Sequence, residues 1–151
     1  MAVSVPVHFE NFTLDLGNGV HGPLASQVFK VALTNVAPNA ATMNGFEDIT
    51  ELTAVNGYTA GGNECPFVSW TQTGGEASLF LDDPEDIIAT GGDIGPFQWI
   101  VLYNSSAPTD TGLVWYADYG APITLVDGTP FPIQLDQVNG VIRRSFAQPA
   151  A

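Results

Sequence analysis

Two histidines, His8 and His21, and a single cysteine, Cys65, are the side chains best suited to general base, soft metal ligand or thiolate chemistry, and their settings argue against each role. Ser105 and Ser106 fall in a turn after a long apolar run. A serine nucleophile needs a strained elbow and an adjacent base, and neither a G-x-S-x-G nor an H-E-x-x-H pattern occurs. His21, inside Gly19-Val20-His21-Gly22, reads as a loop or packing histidine rather than a general base. Cys65 alone can neither close an intramolecular disulfide nor build a cysteine metal site, so it reads as a small buried hydrophobe.

Sixteen Asp and Glu make carboxylate pairs abundant. A glycosidase, however, needs two of them at a defined separation in divergent environments, and nothing in the order of residues selects such a pair. The acidic run Asp82-Asp83-Pro84-Glu85-Asp86 offers hard oxygen donors suited to Ca²⁺ but lacks the D-x-[DN]-x-[DN]-G spacing; a solvated turn is the simpler reading. Trp70, Trp99, Trp115, Tyr116 and Tyr119 could stack on a sugar, although packing in a core is the expected role for most aromatics of this size. The expectation is a protein without catalytic residues, resident metal or cofactor: not an enzyme.

Recognition is carried instead by Glu51-Leu52-Thr53-Ala54-Val55-Asn56-Gly57-Tyr58-Thr59-Ala60-Gly61-Gly62. Asn56-Gly57 is a tight-turn dipeptide, three glycines in six positions admit positive φ, and Tyr58 is placed to anchor the turn on a sheet. Phosphate cradling is excluded by the absence of both glycine-rich phosphate motifs and of any nearby lysine.

The elements that must position this loop read as strands. Val3 to Phe9, Gln27 to Leu33, Pro66 to Thr71 and Glu76 to Leu81 alternate or are β-branched and aromatic. Pro96 to Tyr103 is the longest apolar run and the expected central strand. Leu113 to Ala117 is its expected hairpin partner, ended by Asp118-Tyr119-Gly120, with further strands at Ala121 to Val126, Phe131 to Leu135 and Val138 to Phe146. Only Asp48 to Val55 has a composition compatible with a turn or two of helix. Strands about every ten residues predict an all-β, single-domain antiparallel β-sandwich or jelly-roll-like barrel with little helix, spanning 1–151 with extended arms at 1–9 and 147–151.

The chain of 151 residues carries three basic side chains, Lys30, Arg143 and Arg144, for a formal charge of −13. Such a surface repels DNA and anionic lipid, and no apolar run is long enough to cross a bilayer, so neither nucleic acid nor membrane is an expected partner. With 45% hydrophobic and 13% charged residues the chain reads as a folded, sparsely charged domain that hides surface in an assembly.

The order of these pieces resembles small β-rich structural proteins of bacteriophage virions. The resemblance runs over roughly residues 17 to 145: Gly19-Val20-His21, Phe29-Lys30-Val31-Ala32-Leu33, Glu51-Leu52 with Gly57-Tyr58-Thr59-Ala60-Gly61-Gly62, then Trp70 before Gly74-Gly75-Glu76-Ala77. Leu102-Tyr103-Asn104-Ser105-Ser106 and Leu113-Val114-Trp115-Tyr116-Ala117-Asp118-Tyr119-Gly120 complete it. It implies a non-enzymatic capsid decoration or cement protein, made in the host cytoplasm and located on the virion. Its implied partner is the major capsid protein, and the chain is expected as a homo-oligomer. The alternative is a tail- or fibre-associated module that recognises a host surface glycan. The chain departs from the family pattern at Asn11 to Gly17, where a more helical, charged segment is expected.

Overall fold

A computed structural model describes residues 5–145. Among the described residues the fold is all-β, with antiparallel sheets and one short α-helix. It runs β1 (Val7–His8), α1 (Phe12–Gly17), β2 (Phe29–Thr34), β3 (Asn63–Cys65), β4 (Phe67–Thr73), β5 (Glu76–Leu81), β6 (Ile87–Ile88), β7 (Ile94–Asn104), β8 (Leu113–Leu125), β9 (Pro130–Phe131) and β10 (Ile142–Ser145). Five strands form one sheet in the order β1-β8-β7-β2-β3; β10-β5-β4 and β6-β9 form two smaller ones. The apolar run around Ile100 is the middle strand of the large sheet, as its composition predicts.

The reason that run is so apolar lies in which faces are covered. Phe29, Val31 and Leu33 of β2, with Ile100 and Leu102 of β7, pack into a core shared with Leu79 and Leu81 of β5, Ile142 of β10 and Phe131. The alternate residues Ala32, Val101 and Tyr103 join Phe9, Ile49 and Leu113 in a second core. Side chains alternate across a strand, so a strand buried on both faces must be apolar at nearly every position.

Several boundaries differ from expectation. Leu113 to Ala117 and Ala121 to Val126 are one strand, β8: Gly120 does not end it but sits at φ +83° within an irregularity where Trp99 faces Asp118 and Phe97 faces Ile123. The extra residues on β8 bulge, which explains a turn-like composition inside a strand. Among the described residues, the last two expected strands shrink to Phe131, paired within Pro130–Phe131, and to Ile142–Ser145. Of two 3-10 turns among these residues, at Leu24–Ser26 and Phe46–Asp48, the second overlaps the expected helical segment only at Asp48. The six-residue helix Phe12–Gly17 falls in a segment that the sequence reading does not mark as helical.

The amino-terminal arm is corrected in part. Val7 and His8 pair with Tyr116 and Trp115 of the chain's own β8, and Phe9 is buried in the second core. Residues 1–9 therefore cannot be removed without damaging the fold. Val5 and Pro6 lead into β1 as exposed residues, while residues 1–4 and the expected arm at 147–151 lie outside the described residues.

Candidate functional site

The loop that opens with Glu51 is fastened to the large sheet through one carboxylate. Tyr58 donates its hydroxyl hydrogen to Glu51 Oε1 at 2.7 Å and accepts from the Leu33 backbone N–H at 3.0 Å. Gly61 N–H donates to the same Oε1, and the Tyr103 hydroxyl donates to the Gly61 carbonyl at 2.7 Å. Burial is the main cause that raises both phenols above their ordinary range, Tyr103 to about 12, with the Glu51 charge adding to it. Tyr58 thus anchors the turn, as its place after Asn56-Gly57 suggests.

A Tyr58→Phe substitution keeps the ring and removes the oxygen, leaving the Leu33 N–H buried without an acceptor. The expected cost is about 1–3 kcal/mol in urea unfolding. A loss below a few tenths would mean that the hydroxyl does not hold the loop.

Beyond this anchor, three loops lock into one platform. Asn56 (φ +49°) and Gly57 (φ +104°) form the tight turn between Val55 and Tyr58, with Gly57 so close to the Ile88 carbonyl that an added Cβ would lie 2.3 Å from it. Thr90 N–H donates to the Asn56 carbonyl at 2.8 Å, and Asn56 Nδ2 to the Asp93 carbonyl at 2.8 Å. Gly91 N–H donates to Asp127 Oδ1 at 2.9 Å, Asp127 N–H to Asp93 Oδ1 at 2.9 Å and Gly128 N–H to the Ala89 carbonyl at 2.7 Å. This lattice of bonds carries three exposed aliphatic side chains, Val55, Ile88 and Val126, beside two carboxylates. Exposed apolar side chains on backbone that is already ordered can enter an interface without the entropy cost of fixing a loop.

The groups with catalytic potential are placed elsewhere and used structurally. The Ser105 hydroxyl donates to the Val28 carbonyl at 2.9 Å and the Ser106 hydroxyl accepts from the Val28 N–H at 2.9 Å, tying the turn after β7 to β2. His21 is fully buried between Phe12 and Phe29. Cys65 is buried, with its thiol pushed up to about 12 chiefly by desolvation.

In the acidic run, Asp83 Oδ1 accepts from the Leu135 N–H at 2.7 Å, and the Glu85 carbonyl accepts from Asn63. Among the described residues no group of three or more His, Cys, Asp or Glu is arranged to hold a metal. Trp115 and Tyr119 are buried in the main core, while Trp70 packs against it half-buried.

Each of the three basic side chains has a local neighbour. Arg143 pairs with Glu76 at 2.9 Å, Arg144 stands 5.0 Å over the Phe12 ring, and Lys30 lies across from Glu64 in the β2–β3 register. Many carboxylates instead brace backbone turns: Asp48 accepts from the Asn44 and Gly45 N–H groups, and Asp136 from those of Val138 and Asn139. Those bonds hold the Asp136 carboxyl below its usual range. The negative field remains largely uncompensated.

Comparison with protein-family models, with curated proteins and with solved structures finds no match for this chain. The turn dipeptides Asn56-Gly57, Gly91-Gly92 and Asp127-Gly128 are each visible in the sequence, but their convergence depends on the β6–β9 pairing, which local pattern does not encode.

Proposed function

We propose that the chain is a non-enzymatic structural protein of a bacteriophage particle that decorates or cements the capsid shell. In this reading the loop platform docks on a neutral or basic surface of the major capsid protein. The observation that carries the proposal is the platform itself: Val55, Ile88 and Val126 are exposed on a turn, the end of β6 and a second turn, both turns being bonded to the segment after β6, in a chain with net charge −13. Aliphatic centres with a charged rim are the anatomy of a protein interface, and a negative rim favours a positive partner while repelling the genome. Repetition over a shell lets modest contacts give firm attachment through avidity. The resemblance over residues 17 to 145 supplies the viral setting, and a symmetric homo-oligomer is the ordinary way to match a symmetric shell.

The test adds purified protein back to particles that lack it and measures occupancy. Ile88→Asp and Val126→Asp change exposed side chains and should leave the fold intact while weakening binding about tenfold or more, equivalent to about 1.4 kcal/mol. Val138→Asp, exposed outside the platform, should bind as the parent does. Unchanged occupancy for both platform variants would reject the platform as the docking surface.

A further inference from the structure

Three cationic or protonatable side chains from different segments gather around one buried ring. The centres of the His8 and His21 rings lie 6.2 and 4.8 Å from that of Phe12, and the Arg144 guanidinium carbon lies 5.0 Å from it. His8 Nδ1, His21 Nε2 and Arg144 Nε are all buried without a hydrogen-bond partner. We propose that this cluster is an acid-sensitive latch: protonation of His8 and His21 releases the segment comprising β1 and α1 from the edge of β8.

The argument rests on which atoms can hold a proton. Asn104 Oδ1 accepts from the Ser106 N–H at 2.9 Å, while its Nδ2 donates to Gln27 Oε1 at 3.0 Å and faces His21 Nδ1 at 3.2 Å. The amide orientation is therefore fixed by its other partners, and His21 Nδ1 must accept, which leaves the ring neutral with its hydrogen on Nε2. A second proton on Nδ1 would point at an NH₂ group. Relieving that clash requires Asn104 to turn, which breaks its bonds to Gln27 and Ser106.

His8 Nδ1 is buried without a hydrogen-bond partner, so a proton there would place an N–H in a buried position; the Val114 backbone favours the charged ring, but burial and Arg144 outweigh it. Protonation of His8 would also place a second cation beside Arg144.

The facing charges are few. Asp15 of α1 faces His21 and attracts a proton there, but its carboxylate already accepts from Asn11 Nδ2 at 2.8 Å and from the Gly112 N–H at 3.2 Å. Phe29 of β2, Gln27 and Asn104 of β7 bring no charge. His8 shares a cavity of about 1030 Å³ with Asp136 and Arg143, the latter paired with Glu76. Burial lowers both histidines below 6.5, aided for His8 by Arg144.

The sign follows directly. With the folded value depressed, the released state binds protons first, so the docking stability present above pH 6.5 is lost as the pH falls below it toward the folded values. Release would uncover the β8 edge at Trp115 and Tyr116 and open the cavity that Val5, Pro6 and His8 border.

Hydrogen exchange at pH 7.5 and 5.0, corrected for intrinsic rates, tests the latch. Peptides covering 5–21 should exchange at least tenfold faster at pH 5.0, while those from β2 and β7 stay protected. Equal protection at both values, or a uniform loss across the chain, would overturn it. A His8→Gln, His21→Asn double variant should abolish the selective acid effect. Should that variant fail to fold, histidine ring proton shifts of the parent protein decide instead: titration of both rings at or above 6.5 overturns the proposal, and titration of both below it, accompanied by loss of the contacts of residues 5–21, upholds it.

Discussion

Gly62→Ala will be the most damaging single-methyl change in the chain, costing about 3–5 kcal/mol or preventing folding altogether, by the combined magnitude of backbone strain and overpacking. Gly62 sits at φ +76°, where an L side chain is strained, and an alanine Cβ would stand 1.8 Å from the Val31 carbonyl oxygen and 2.9 Å from Ala32 Cα. Both are backbone atoms of β2, a strand paired on both sides, so neither can retreat without opening the sheet. Gly74 provides the control: its φ is +61° but nothing lies within 4 Å of an added Cβ, and Gly74→Ala should cost only about 1 kcal/mol. Urea unfolding of the two variants checks the comparison. Equal losses would mean that strain alone, rather than the close approach to β2, governs the loop.

The second large effect is expected at Phe12. The ring is fully buried in the main core and touches His8, His21 and Arg144. Truncation to alanine removes its transfer energy and leaves a cavity that surrounding strands cannot close, a loss of about 3–5 kcal/mol. Because α1 has only six residues, it has no independent stability and depends on this contact. Phe12→Ala should therefore also raise exchange throughout 5–21 at neutral pH, flattening the acid response. A variant that loses less than about 1 kcal/mol, or keeps full protection in 5–21, would show that the helix is held by something other than the ring.

What the sequence makes legible here is whatever depends on local pattern. The nearly unbroken apolar run of β7 announces a strand covered on both faces, Asn56-Gly57-Tyr58 announces a turn with its anchor, and the isolated Cys65 announces a buried thiol. The misreadings arise from long-range pairing and from elements too short to show a period. Asp118-Tyr119-Gly120 has the composition of a strand end, yet the pairing of β8 with β7 continues past it because a bulge absorbs the extra residues. Phe12–Gly17 is too short for a helical period to stand out, and one of its apolar residues, Leu14, faces solvent.

The candidate site divides in the same way. Each platform turn can be read alone, but the bonds from Thr90 to Asn56 and from Gly91 to Asp127 join segments about 35 residues apart. Likewise His8, His21 and Arg144 carry no shared motif. They meet because β1 pairs with β8, and β10 pairs with β5.

The shell assignment is tested most directly by the copy number of this chain relative to the major capsid protein in purified particles, measured by quantitative mass spectrometry. A ratio of the same order as the capsid subunits is the result expected of a decoration or cement protein. A handful of copies per particle would move the chain to the tail, and its absence from particles would contradict the virion reading altogether.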